Sequence, residues 1–378
     1  MKKLMAIFFA FILVLGNISN VQAASDINSI EISLDNIRDI MIENSLDMQT
    51  YSNNLEKTIE EYDDLKDEID GKDDDISKIN EDIKNLDTTD PDYTDSKESL
   101  NTQLKTLNSE LSTLKNKRDS MKYTVKSARI QYDQNVENAI YSAQQQYLAY
   151  LTAKSNRELS ESKVTSKEKE LNTYKIKYNS GFISKNEYDS YVRDNTDFTN
   201  ELDSLKNTEN IALINLKNTL GIDSSINIVV KDNISTYLDK VSKIDVEEDL
   251  NEMLDNSLDI KLKDINIDSL EDSDSSDYDL DNAEISLDQV KAKAKINFNQ
   301  QYNTLIASYN SIKSSYDKLQ STEKNTNFME TKYSKGFVSM KEVNDAKITL
   351  NEERSKFQKD QDQFYLDYLH YIQMKEGY

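Results

Sequence analysis

Apolar positions along this chain recur at the three-and-four spacing of helices far more often than at the alternation of strands. Leu100, Leu104, Leu107, Leu111, Leu114, Met121, Val125 and Ala128 step by four and three, interrupted only at Arg118. That is the a/d seam of a coiled coil. Upstream, Leu55, Ile59, Tyr62, Leu65, Ile69, Ile76, Ile79, Ile83 and Leu86 make a looser stripe of the same kind. Between the two lies LDTTDPDYTDS, which holds Pro91, the only proline. Proline in an Asp/Thr-rich stretch stops one helix and caps the next, so the pattern predicts an antiparallel hairpin turning near Pro91. Its second arm meets no breaker from about Asp95 to Tyr178, a span of roughly 125 Å at ~1.5 Å per residue.

The pattern also repeats. KYNSGFISKNEYD (Lys177 to Asp189) returns as KYSKGFVSMKEVN (Lys332 to Asn344), and QQQYLAYL (Gln144 to Leu151) returns at the same offset as NQQYNTLI (Asn299 to Ile306). ENSLDMQ (Glu43 to Gln49) pairs with DNSLDIK (Asp255 to Lys261) at a larger offset, so the first copy carries an insert, for which the hairpin around Pro91 is the candidate. The chain reads as a tandem duplication. A first repeat spans 24–222 with an inserted coiled-coil hairpin at about 63–126, a linker spans 223–244 and a second repeat spans 245–378. INIVVKDNISTYLDKVSKI in the linker is β-branched and predicts one short strand.

Each copy of the tip phrase is a helix stop followed by a restart. Gly181 and Gly336 are placed to take the left-handed conformation that ends a helix, with Phe182 and Phe337 packing back on the last turn. Ser184 with Glu187, and Ser339 with Glu342, have the spacing of a capping box. Ile183 with Tyr188, and Val338 with Val343, have that of a hydrophobic staple. Two hairpin tips with an aromatic at the turn are expected, either plain turns or contact points for a partner.

Composition narrows the class. Six glycines, one proline, no tryptophan, 37% hydrophobic and 31% charged residues suit long helices with a narrow buried seam rather than a thick globular core. The fold class is therefore all-α, built of long antiparallel helical hairpins in two tandem repeats. A net charge of −24 repels phosphate backbones and argues against nucleic-acid binding. The 22 tyrosines are read as seam residues with a wet hydroxyl end, not as base-stacking platforms. Residues 1–23 have the basic start, apolar run and Val21-Gln22-Ala23 cleavage site of a secretory signal peptide. With no cysteine, neither a disulfide framework nor a lipid anchor is available.

Catalytic and metal chemistry finds no constellation. His370 is the sole histidine and lacks a second His or a Cys to join it as ligand or base. Gly71 in DGKDDD puts Lys66 at the first and Ser77 at the twelfth position of a calcium loop, which fails the ligand pattern. LEDSDSSDYDLDN (Leu270 to Asn282) reads as a solvated acidic linker in preference to a loose calcium site. The expectation is a protein that is not an enzyme and uses no cofactor or metal.

Several landmarks in order resemble the TolC-like outer-membrane efflux proteins. ISLDNIRDIMIENSLDMQ is similar to that family's opening helix, and AIYSAQQQYLAYLTA to its Ala-Tyr-x-x-Leu helix. The tip phrase and NLKNTLGID follow, and the same order recurs from Asp245. The resemblance covers nearly all of the chain after the leader except about 63–126. It implies a homotrimeric α-barrel whose tips dock an adaptor (membrane-fusion) protein joined to an exporter in the inner or cytoplasmic membrane. Gly181, Phe182, Ile183, Gly336, Phe337 and Val338 match the docking turns, with Phe where the family usually has Leu. Glu187, Glu342 and Asp345 match acidic positions at a duct entrance; Ser190 stands at the remaining one and leaves that ring incomplete. The family also inserts amphipathic strands that build a membrane barrel. At the equivalent places this chain has the Pro91 hairpin and the acidic 270–282 stretch, neither of which alternates over the ~10 residues a barrel strand needs. A TolC-like α-barrel protomer without a membrane β-barrel is the expectation, at the cell surface or wall if the envelope has no outer membrane, and otherwise in the periplasm or outer membrane. An elongated coiled-coil surface spacer, adhesin or wall-remodelling regulator is the alternative.

Overall fold

The computed structural model describes residues 29–232 and 238–378; the expected signal peptide and residues 233–237 of the expected linker lie outside them. In chain order the elements are β1 (Ser29–Ile32), α1 (Ile37–Asn44), α2 (Leu46–Lys84), α3 (Tyr93–Asn179), α4 (Lys185–Thr219) and β2 (Asn227–Val230). Then come α5 (Leu238–Val241), α6 (Val246–Asn256), α7 (Leu258–Asp272), α8 (Asp277–Ser334) and α9 (Met340–Lys375).

The hydrophobic stripes become hairpin seams. α2 and the start of α3 meet through Leu65, Ile69 and Leu111, flanked by Ile76, Leu114 and Met121. Ion pairs Lys72–Glu110 (2.6 Å) and Lys115–Asp73 (3.4 Å) border the seam. Pro91 sits in the turn, where Asp87 and Asp90 carboxylates accept the backbone N–H of Thr89 and Asp92. α3 then runs for 87 residues, about 130 Å. At Tyr123 it meets the end of α7, where the Tyr123 hydroxyl bonds Asp272 and Lys126 approaches Asp268. Beyond that point the α2/α3 hairpin continues alone for roughly 45 Å as a charged mast.

The 270–282 stretch corrects the reading of a linker. α7 reaches Asp272 and α8 begins at Asp277, with the Ser276 hydroxyl oxygen accepting the Asp279 N–H (3.3 Å). Acidic composition concealed a tight interhelical turn, because Ser and Asp are cap formers as well as linker residues.

Below this level four long helices lie side by side in the order α8, α9, α3, α4. α8 and α9 are joined by an aromatic and aliphatic seam that includes Phe298, Leu305, Ile312, Phe364 and Tyr371. A second core, around Ile32, Ile37, Met41, Tyr147, Leu148, Leu216 and Leu220, joins β1 and α1 to α3 and α4. The linker strand is present as β2, and it pairs parallel with β1, Ile30 opposite Ile228 and Ile32 opposite Val230. Among the described residues these four-residue strands are the only ones, and none of the helices there is long and apolar enough to cross a membrane.

The two halves share one further contact. α4 ends at Gly221 (φ +70°), which lies against the α1/α2 break at Asn44–Ser45; α9 ends at Gly377 (φ +94°), against the α6/α7 break at Asn256–Ser257. A Cβ at either glycine would collide with the backbone of the break. The Leu258 N–H closes the second contact on the Gly377 carbonyl (2.9 Å).

Candidate functional site

α3 and α8 stop in the same way. The Gly181 N–H donates to the Tyr178 carbonyl (3.0 Å) and the Phe182 N–H to Lys177 (2.9 Å). Gly336 donates to Tyr333 (2.9 Å) and Phe337 to Lys332 (2.9 Å). With φ of +75° and +80° at the two glycines, both are Schellman ends, and only glycine takes that conformation without strain. Ser184 accepts the Glu187 N–H (3.2 Å) and Ser339 the Glu342 N–H (3.3 Å), which restarts α4 and α9. At the second tip the Glu342 carboxylate also accepts the Ser339 N–H (2.7 Å), completing the box.

Phe182 and Phe337 do not pack back on their helices: they are 80% and 76% exposed. The partner position for that contact, three from the helix end, is Lys177 in one tip and Lys332 in the other. Those ammonium groups lie over Tyr174 (4.9 Å) and Phe328 (4.4 Å) instead. Each phenylalanine is left projecting from a rigid turn. Ile183 and Val338 beside them are half-buried, and Val343 is buried.

The supports differ. In the first tip Tyr174 stacks on Tyr191 (centroids 3.4 Å) and Tyr178 on Tyr188 (5.1 Å) across the hairpin. Met329, Ala346, Tyr333 and Val343 occupy the matching places of the second. The tips sit side by side at the end opposite the mast. A groove of about 260 Å³ separates them, lined by Thr173, Tyr174 and Lys177 of α3 and by Met340, Asn344 and Asp345 of α9. Sequence reading missed this groove, because the α3/α9 register that forms it joins residues far apart in the chain.

The acidic positions have local duties. Glu342 serves its own helix cap, and the Ser339 N–H and hydroxyl hold its carboxyl below the usual range. Asp345 pairs with Lys341 (2.9 Å), and Glu187 is exposed. His370 lies against Tyr141 (5.6 Å) near the end of α9, and Gly71 is inside the uninterrupted α2.

No protein-family model and no curated relative matches the chain. Solved structures do. The outer-membrane channel OprN is similar over 91% of this chain and 90% of its own, with a TM-score of 0.61 at 10% identity. The Campylobacter jejuni CmeC outer membrane channel matches over 96% and 93% (TM-score 0.57, 11% identity). The open state of the Neisseria gonorrhoeae MtrE outer membrane channel matches over 96% and 95% (TM-score 0.54, 10% identity). The long hairpins, the paired tips and these matches together give the chain an all-α, TolC-like fold.

Proposed function

We propose that this chain is the helical duct component of an efflux or type I-like secretion system, closing as a trimer and docking an adaptor protein through its two tips. The observation that carries the reading is the pair of exposed phenylalanines, one on each of two like-built turns at the same end of a channel-type fold. The open edges of the helix row support the ring. Ile211 and Ile214 on α4 are 57% and 51% exposed, and Ile296 and Phe328 on α8 are 57% and 55% exposed. Apolar residues left on both edges fit a head-to-tail contact, in which one copy's α4 meets the next copy's α8 and the rotation closes. An adaptor joined to an exporter in the cytoplasmic membrane is the partner this reading requires, and the cell envelope is the location.

The test is the paired substitution Phe182→Asp with Phe337→Asp. Binding of the adaptor encoded alongside the chain is expected to be lost while far-UV circular dichroism keeps its helical signal. Unchanged binding would remove the tips from the docking role. The mast favours a second reading, an elongated surface spacer, since no large apolar residue is exposed along it. Light scattering separates the two: a trimer belongs to the duct, a monomer or simple dimer to the spacer.

A further inference from the structure

The α8/α9 and α3/α4 hairpins are each held by seams rich in aromatic and aliphatic side chains; the joint between them is apolar where Tyr365 of α9 enters the α3 core, but turns polar from Asp362 toward the tips. Along α3 and α9, Thr152 meets Asp362 (2.7 Å), Asn156 meets Ser355 (3.3 Å), Ser162 meets Asn351 (2.7 Å) and Lys163 meets Glu352 (2.9 Å). Asp362 is the member of this seam that is fully enclosed, at 4% exposure. Its two oxygens accept from neutral donors, the Thr152 hydroxyl and the Gln358 amide (2.9 Å), and no cation lies within ion-pair distance among the described residues. A buried carboxylate without a counter-charge is costly when ionised and cheap when protonated.

We propose that Asp362 is a proton-responsive latch between the two hairpins: protonated, it lets the joint close, and ionised, it loosens it. The surroundings fit. On α3 the neighbouring Tyr147 donates its hydroxyl to the Lys231 carbonyl, and Arg157 is committed to Glu209 and Glu161. From the segment after β2, Asp232 adds negative charge, while the Lys231 ammonium is paired with Glu31 (3.0 Å). Lys313 of α8 lies over Tyr309. Arg354 of α9 pairs with Glu323 (3.2 Å). A cavity of about 310 Å³ beside the joint, lined by Lys154, Glu158, Asp232, Arg354 and Gln358, gives the proton a route from solvent.

The sign follows from burial. Desolvation pushes the Asp362 carboxyl up to about 6, against hydrogen bonds from Thr152 and Gln358 that pull it down. The joint is therefore tightest in acid and loses that stability as pH rises through about 6. Asp362 lies 22 residues from Met340 along α9, about 33 Å of helix, so a small rotation at the joint changes the spacing of the tips. The latch does not depend on the duct role.

The full chain has no cysteine, so Lys185→Cys and Lys335→Cys allow one spin label on each tip, measured by pulsed EPR with labelled chains diluted into unlabelled ones. Between pH 7.5 and 5 the inter-tip distance distribution should narrow. Asp362→Asn should give the narrow distribution at both pH values, and Asp367→Asn, inside the α8/α9 hairpin, should keep the response. Thr152→Val, which removes a donor to the carboxylate, should move the midpoint to higher pH. An Asp362→Asn protein that responds like the parent, or a parent with no response in this range, would overturn the latch.

Discussion

Four long helices of this molecule end in the same hydrogen-bonded turn, yet two of those ends are tips in solvent and two are wedged into the body. Gly181 and Gly336 have open space where a Cβ would stand, whereas Gly221 and Gly377 face the backbone of a helix break. Local sequence specifies the turn in every case, since each needs a residue at positive φ. What surrounds the glycine decides whether the turn is a projecting surface or a structural joint. The wedged pair fixes how each half closes on itself, and the free pair is left to meet something else.

The sharpest way to break that comparison is alanine at one glycine of each kind. At Gly221 the substitution adds left-handed strain to a collision with the rigid Asn44 carbonyl; a loss of roughly 3–5 kcal/mol is expected. At Gly181 only the strain applies, and about 1–2 kcal/mol is expected. Chemical denaturation of the two variants, with unchanged m-values, measures the difference. Equal losses would mean that the wedge contributes nothing and that the four ends are alike after all.

The two tips themselves differ, and the next effect is smaller. Ser339 belongs to a reciprocal box with Glu342, while Ser184 supplies its hydroxyl oxygen to Glu187. Ser339→Ala should cost about 1 kcal/mol and Ser184→Ala about half as much, read from the amide exchange protection of the first turns of α9 and α4. A larger loss at Ser184 would show that the stacked tyrosines of the first tip depend on its cap, not the reverse.

Most of the fold was legible because helical periodicity is a local signal. Every residue of the Leu55–Leu86 stripe faces inward, and the turn falls where Pro91 and its aspartates put it. The pairing of β1 with β2 was not legible, since two four-residue strands, one before the first repeat's helices and one in the linker after them, leave only a weak mark. The wedged glycines are harder to read, although both of their signals stand in the sequence. NSLD is legible as a repeated landmark, but each copy also marks a helix break at its serine, which Ser257 recaps through its hydroxyl and Ser45 does not, and nothing local pairs that break with the glycine after α4 or α9. The usual end motif predicts Phe182 and Phe337 against their helices, yet both are exposed. The lysines three from each helix end, Lys177 and Lys332, remove the apolar surface that contact would need.

The smallest effect separates the tips by pH. Hydrogen bonds from the Ser339 N–H and hydroxyl hold the Glu342 carboxyl below its ordinary value. A carboxyl depressed in the folded state lends stability above its unfolded value and loses it as pH falls through the folded one. Acid should therefore release the second tip's box and leave the serine half in place, a state that the first tip shows at all pH values. Amide shifts of ¹⁵N-serine report it: Ser339 should titrate below the normal glutamate range, Glu342→Gln should abolish that titration, and Ser184 should stay flat. A matching titration at Ser184 would make the two caps equivalent and sink the distinction. The direction is opposite to that at Asp362, where acid tightens the joint. Acidification from neutrality should thus first draw the hairpins together, through about pH 6. Only well below that should it loosen the turn that carries Phe337.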